Sequence, residues 1–163
     1  MAKKVLPDRG FTLIEIVVVV ALVGILSSIV LPDFKKTVDN YRLNVAAQQL
    51  SHNIRMVQQK AISEGVPYKI LFDMNKRDYY IIKSALNGFQ GKVVKLPEGV
   101  NFEWTSFTTN FNNSRNENTL IFSASGAPVQ AGTVALKNKN ERLYVIVTVA
   151  TGRVRISKIP PER

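Results

Sequence analysis

Cysteine is absent from these 163 residues, and histidine and tryptophan occur once each. Without cysteine there is no disulfide, no thiolate nucleophile and no Cys/His zinc cluster. Any folded part must therefore be held by its buried core alone, even in an oxidising compartment where disulfides persist. The one histidine, His52, lies between Ser51 and Asn53 in a helical stretch, where an exposed or capping role is expected rather than a catalytic one. Carboxylates are also sparse: Asp73, Asp78, Glu98, Glu103 and Glu117 are scattered over expected strands and loops, with no motif that pairs them. This inventory gives a hydrolase no support, and no catalytic residue, metal ligand or cofactor is expected. With 22 Lys and Arg against 12 Asp and Glu, the formal net charge is +10.

The chain opens on a short basic leader, Lys3, Lys4 and Arg9 against Asp8. Gly10-Phe11-Thr12-Leu13-Ile14-Glu15 follows, and an almost unbroken apolar run continues to Leu31. As a helix, residues 11–31 rise about 31 Å, close to the ~30 Å hydrocarbon core of a bilayer. A secretory signal would have a shorter apolar core with a small-residue cleavage site after it. Here the run is longer and no such site follows, so it is expected to be retained. The basic leader predicts a cytoplasmic N-terminus, with everything after Leu31 outside. Glu15 needs a reason, since a carboxylate at mid-depth costs about 2.5 to 3.5 kcal/mol on insertion scales. Near the start of the span it either snorkels to the interface or has a partner.

The leader, the Gly-Phe-Thr-Leu-Ile-Glu sequence and the apolar helix together resemble the class III prepilin signal of type IV pilins and type II secretion pseudopilins. The resemblance implies that a prepilin peptidase cuts between Gly10 and Phe11 and methylates the new N-terminal amine of Phe11. It implies that Glu15 neutralises the amine of a neighbouring subunit in a filament core, a buried charge with an intermolecular partner. Other pilins or pseudopilins and an inner-membrane assembly platform are the implied partners. The implied location is a single-pass membrane protein before assembly and an extracellular or periplasmic filament afterwards.

Beyond Pro32 the chain reads as an amphipathic helix, with Phe34, Val38, Tyr41, Val45, Leu50, Ile54, Val57 and Ala61 mostly three or four apart and expected to face a globular domain. Lys35, Lys36, Asp39, Arg42, Arg55 and Lys60 populate the other face, as a solvated surface does. Gly65-Val66-Pro67 ends the helix. Gly24 and Pro32 are weak points, costing about 1 and about 3 kcal/mol in a helix interior. In the resembling pilins this segment can lose helicity on assembly, which makes 24–32 the candidate for unwinding, against an ordinary membrane-helix glycine and an exit kink.

From Pro67 the pattern changes to short β-prone runs separated by turn residues. Strands are expected at 68–73 and 78–84, forming a hairpin around Met74-Asn75-Lys76-Arg77, then at 92–96 and 100–104. An asparagine-rich loop over 108–118 precedes strands at 119–123, 132–136, 143–149 and 153–157. One helix followed only by strands favours an α+β fold, a long N-terminal membrane-spanning helix packed against an antiparallel β-sheet domain, the lollipop of the pilins. The expected organisation is a cleaved leader (1–10), a transmembrane and filament-core segment (11–32), an amphipathic continuation (33–65) and a β-rich domain (66–163). Tyr79, Tyr80, Phe102, Trp104 and Phe122 are expected as core or sheet aromatics rather than a stacking platform.

Four C-terminal pieces occur in order: Leu120-Ile121-Phe122, Ser125-Gly126-Ala127-Pro128, Gly132-Thr133-Val134 and Thr151-Gly152-Arg153-Val154-Arg155-Ile156. They resemble the GspH/FimT-like group, whose members are minor pilins or minor pseudopilins without a shared enzymatic activity. In a strand, Arg153 and Arg155 share a face while Val154 and Ile156 point the other way, expected inward. Guanidinium groups suit phosphate, and Lys137, Lys139, Arg142, Lys158 and Arg163 lie nearby in sequence, against Glu141 and Glu162. Removal of a leader carrying +2 leaves +8, a field that attracts DNA without reading its sequence. Members linked to natural transformation carry a Gly-Arg-x-Arg element here, matched by Gly152, Arg153 and Arg155. The resemblance implies double-stranded DNA as a ligand. The plainer alternatives are arginines that protect a terminal edge strand and a basic surface for anionic wall polymers or lipid headgroups. Three classes thus stand: a purely structural minor pseudopilin of a secretion system, a DNA-receptor minor pilin, and an unrelated membrane-anchored enzyme.

Overall fold

A computed structural model describes residues 10–83, 91–107, 118–149 and 152–161, without the side chains of 29–33. The leader before Gly10 and loop residues 108–117 lie outside the described residues. One helix precedes eight strands: α1 (Leu13–Glu64), β1 (Tyr68–Asp73), β2 (Asp78–Lys83), β3 (Gly91–Lys95), β4 (Asn101–Thr105), β5 (Asn118–Phe122), β6 (Gly132–Lys137), β7 (Arg142–Val147) and β8 (Val154–Ser157). The helix starts where Thr12 caps it, the hydroxyl accepting the Glu15 backbone N–H at 3.3 Å. It ends where Gly65 takes φ 65°, the left-handed conformation that glycine adopts without a Cβ penalty.

Contacts divide the chain into two units, Met1–Thr37 and Val38–Arg163. In the first, the apolar side chains from Phe11 to Leu26 expose about half their surface or more, from 49% at Val18 to 81% at Phe11. α1 is continuous through Gly24 and Pro32. Among the described residues no helix is long and apolar enough to cross a membrane, which falls short of the expected span over 11–32. The run with described side chains, 13–28, rises only about 24 Å.

The second unit has its own core, formed by residues between Leu43 and Val154. Leu43, Ala46, Ala47, Leu50, Ile54, Val57 and Ala61 recur at three and four residue spacing and are fully buried. Tyr41, two residues from Leu43 and so on another face, is 69% exposed, and Phe34 is exposed too. Tyr41 is thus not buried in the core as the periodicity suggested, while Val38 and Val45 are half-buried.

The strands make two antiparallel sheets rather than one, ordered β3-β2-β1-β5 and β4-β6-β7-β8. The chain leaves the first sheet after β3, returns to it at β5 and leaves it again, so the partition rests on pairings far apart in sequence. Phe72 joins the sheets across the core. Its ring stacks on Phe107 at 5.7 Å and meets Phe102 of β4 edge-on at 5.9 Å and Tyr79 of β2 at 6.3 Å, each contact worth about 0.5 to 1.5 kcal/mol beyond area burial. The expected strands all exist, with ends shifted by a residue or two, and Asn118 opens β5 instead of closing the loop.

Candidate functional site

β7 presents Leu143, Val145 and Val147 to the core and Tyr144 and Ile146 to the opposite face, where they cluster with Ala135 of β6. Trp104 of β4 packs on Tyr144 at this face, ring centroids 6.2 Å apart. In the β7–β8 register Val154 lies opposite Val147 and Arg155 opposite Ile146. Val154 is therefore buried, and Arg155 is exposed on the outer face with Ile146. Arg153 is also exposed, and its carbonyl accepts the Thr148 N–H at 3.1 Å. Both arginines are thus exposed, Arg153 just before β8 and Arg155 within it. Ile156 is 39% exposed, a correction to the inward expectation, because β8 is the sheet edge and nothing flanks it there among the named strands.

Gly152 is buried rather than offered to a ligand. It has φ +60°, and a Cβ on it would meet Gln58 Nε2 of α1 at 2.2 Å. The same nitrogen donates to the Gly126 carbonyl at 2.9 Å, so Gln58 lies between two glycine turns. Three residues earlier on the helix, Arg55 Nη2 donates to the Val154 carbonyl at 2.9 Å, on the residue between the two arginines. Neither helix contact was legible in the strand motif; Arg55 read only as part of a solvated face.

Lys137, Lys139, Arg142 and Lys158 come together at the β6–β7 turn, lining an open cleft of about 680 Å³ with Asn138, Asn140, Glu141 and Tyr144. The turn is built by Asn138, whose Oδ1 accepts the N–H groups of Asn140 and Glu141 at 2.7 and 2.6 Å. Asn138 Nδ2 in turn donates to Asn40 Oδ1 on α1 at 2.9 Å. Much of the positive charge here is answered locally. Glu103 meets Arg142 at 2.9 Å and Lys137 at 3.6 Å, and Glu141 meets Lys158 at 3.8 Å. Arg153 and Arg155 do not line this cleft. Arg142 stands four residues along β7 from the position facing Arg155, about 14 Å at strand rise.

His52 is exposed, and among the described residues no group of three or more His, Cys, Asp or Glu side chains could hold a metal ion. Asp73 and Asp78 are buried at the base of the β1–β2 hairpin, where Asp73 Oδ1 accepts the N–H groups of Asn75 and Lys76 at 3.0 and 3.2 Å and shapes the turn. At the N-terminus, Glu15 is exposed and holds the third position of α1 after Thr12. This Thr-x-x-Glu spacing is that of a capping box, with the bond to the Thr12 hydroxyl formed.

Two family models match the chain: the prokaryotic N-terminal methylation motif over 7–31 and type II transport protein GspH over 46–152. Competence protein ComGD of Bacillus subtilis is 28% identical over 93% of this chain and 94% of its own length. Type II secretion system protein H of Xanthomonas campestris is 26% identical over 90% of this chain and 82% of its own. Among solved structures, the minor pseudopilin EpsH of Vibrio cholerae aligns with a TM-score of 0.60, at 16% identity over 75% of this chain and 97% of that one. The type IV minor pilin FimU of Pseudomonas aeruginosa aligns at 0.55, with 15% identity over 72% of this chain and 90% of that one. These two establish the likeness of fold.

Proposed function

This chain belongs to the type II transport protein GspH family, and on that premise we propose that it is a minor pilin or pseudopilin, a structural subunit of a type IV pilus or type II secretion filament and not an enzyme. One observation carries the proposal. The methylation motif over 7–31 falls on the start of a helix whose described large apolar side chains from Phe11 to Leu26 expose about half their surface or more. So long an exposed apolar surface calls for lipid before assembly and neighbouring helices after it.

In this reading residues 1–10 are the leader, cut by a prepilin peptidase between Gly10 and Phe11, and Phe11 is then methylated. Residues 11–32 anchor the subunit in the membrane, N-terminus in the cytoplasm, until an assembly platform passes it to the filament. There Glu15 meets a neighbour's amine, and 24–32 is where α1 can unwind. Residues 33–65 and 66–163 form the part displayed outside. A Gly10→Val substitution blocks processing, so the expected outcome is full-length protein retained in the membrane and missing from sheared filaments. Normal processing and incorporation would overturn the proposal.

Within that role, the subunit binds double-stranded DNA through Arg153 and Arg155. The support is the exposure of both, Arg153 just before β8 and Arg155 within it, the basic mature charge and the similarity over nearly the whole chain to a protein named for competence. The alternative is a purely structural pseudopilin of a secretion system, consistent with the similarity to secretion protein H. Fluorescence anisotropy of the 38–163 unit with duplex DNA decides between them. Salt-dependent binding that weakens in Arg153→Ala with Arg155→Ala supports the DNA role, and equal binding by that variant removes the pair from it.

A further inference from the structure

We propose that Arg55 of α1 is a third DNA-contacting guanidinium, completing with Arg153 and Arg155 a phosphate site that runs from the helix onto the edge of β8. This rests on the DNA reading above and extends it to a residue 99 positions away from Val154 in sequence. The Arg153 carbonyl accepts the Thr148 N–H, and carbonyls alternate in direction along a strand. The Val154 carbonyl therefore turns to the free edge of the sheet. Arg55 sits on that carbonyl, so its guanidinium lies on the edge strand between the two positions from which Arg153 and Arg155 project. An arginine has five N–H donors, and the bond to Val154 uses Nη2. The side chain is exposed, leaving donors open to a phosphate.

Electrostatics favour this edge over the larger cleft. In the cleft, Lys137 and Arg142 face Glu103, and Lys158 faces Glu141. By contrast, no Asp or Glu occurs over 40–63, the helix around Arg55, nor over 142–161, which contains β8. Gln48, His52 and Gln59 are exposed and fall four, three and four residues from their neighbours in the series through Arg55, one helix face. They flank the guanidinium with two amides and an imidazole, hydrogen-bonding groups of the kind that contact sugar and phosphate. The continuous strip suits duplex DNA, whose backbone carries a charge about every 1.7 Å of axis.

The test is the salt dependence of duplex binding by the 38–163 unit, which contains its whole core, in Arg55→Gln and Arg55→Lys beside the unaltered protein. Each phosphate contact contributes about 0.9 to the slope of log K against log salt. Arg55→Gln is expected to lower the slope by about that amount, and Arg55→Lys to restore it. An unchanged slope in Arg55→Gln, with any loss confined to the melting temperature, would make Arg55 a tether of β8 only and overturn the inference. Should Arg55→Gln fail to fold by circular dichroism, the side-chain Nε–Hε NMR signal of Arg55 in the unaltered protein serves instead. It is expected to move on DNA addition along with those of Arg153 and Arg155, and a stationary signal overturns the inference. Binding lost in the Arg153/Arg155 double variant but untouched in Arg55→Gln sinks this inference alone. Absence of any salt-dependent binding by the unaltered unit sinks the DNA reading with it.

Discussion

Asn53 Nδ2 donates a hydrogen bond of 2.7 Å to the Tyr79 hydroxyl, joining α1 to β2 where Tyr79 is 1% and Asn53 8% exposed. Burial pushes the Tyr79 phenol up to about 12, with the bond from Asn53 opposing in part. Tyr79→Phe leaves the Asn53 amide without this acceptor in the core, at an expected cost of about 1 to 3 kcal/mol, read by urea unfolding. The pH dependence has a definite sign. The unfolded phenol ionises near 10 and the folded one near 12, so the stability is intact below pH 10 and falls as pH rises from 10 towards 12. The fall is roughly 2 to 3 kcal/mol over that window. Tyr79→Phe should flatten it; an equal fall in both proteins would assign the loss to other groups.

Gly152 is constrained twice, by its left-handed backbone and by Gln58 lying against it. The backbone alone makes a Cβ cost about 1 to 2 kcal/mol. Gly152→Ala should cost more than this, because the added methyl displaces Gln58 from its bond to the Gly126 carbonyl. In a Gln58→Ala background the penalty of Gly152→Ala should drop to the backbone value. A double-mutant cycle by thermal or urea unfolding checks the coupling. Additive losses would mean that the two residues do not compete for the same space.

Glu103 holds both Arg142 and Lys137 at the rim of the β6–β7 cleft. The cations are largely exposed, so Glu103→Gln should change stability by no more than about 1 kcal/mol. Its effect on DNA is the informative readout. If the cleft takes part in binding, releasing two cations should tighten duplex affinity and steepen its salt dependence. Unchanged binding would confine the contact to β8 and the adjoining helix.

Alternation and helical spacing made most of this fold legible, because burial on one face is written into nearby residues. The spacing puts Leu50, Ile54, Val57 and Ala61 on the buried face, where the structure has them, and the alternation of buried Val154 with exposed Arg155 is likewise present on β8. The division into two sheets was not legible, since pairings such as Tyr68 with Phe122 and Asn101 with Lys137 join segments far apart in the chain. The bulge between Phe102 and Trp104 likewise turned Trp104 out towards Tyr144. At the basic site the motif identified the exposed arginines but not their support. Gln58 and Arg55 reach it from a helix whose own pattern reports only that they lie off the apolar face. Gly152, read as part of a ligand motif, turned out to be a packing position.

The assembly role proposed for Glu15 and a capping role at the start of α1 are separable by a single substitution. The Glu15 backbone N–H bonds to the Thr12 hydroxyl at 3.3 Å, and glutamate three residues after a threonine cap is the usual partner in a capping box. The proposed assembly role instead needs its negative charge, to meet the amine of a neighbouring subunit. Glutamine serves a capping box as glutamate does but carries no charge, whereas valine supplies neither. Loss of a cap costs only about 0.5 to 2 kcal/mol, while an amine left unpaired inside a filament core costs about 3 to 5. The charge role therefore predicts that Glu15→Gln and Glu15→Val both abolish recovery in sheared filaments, with Gly10 processing and membrane insertion normal in each. Incorporation of Glu15→Gln at the unaltered level, with only Glu15→Val excluded, would assign the residue to starting the helix and remove the intersubunit charge pair.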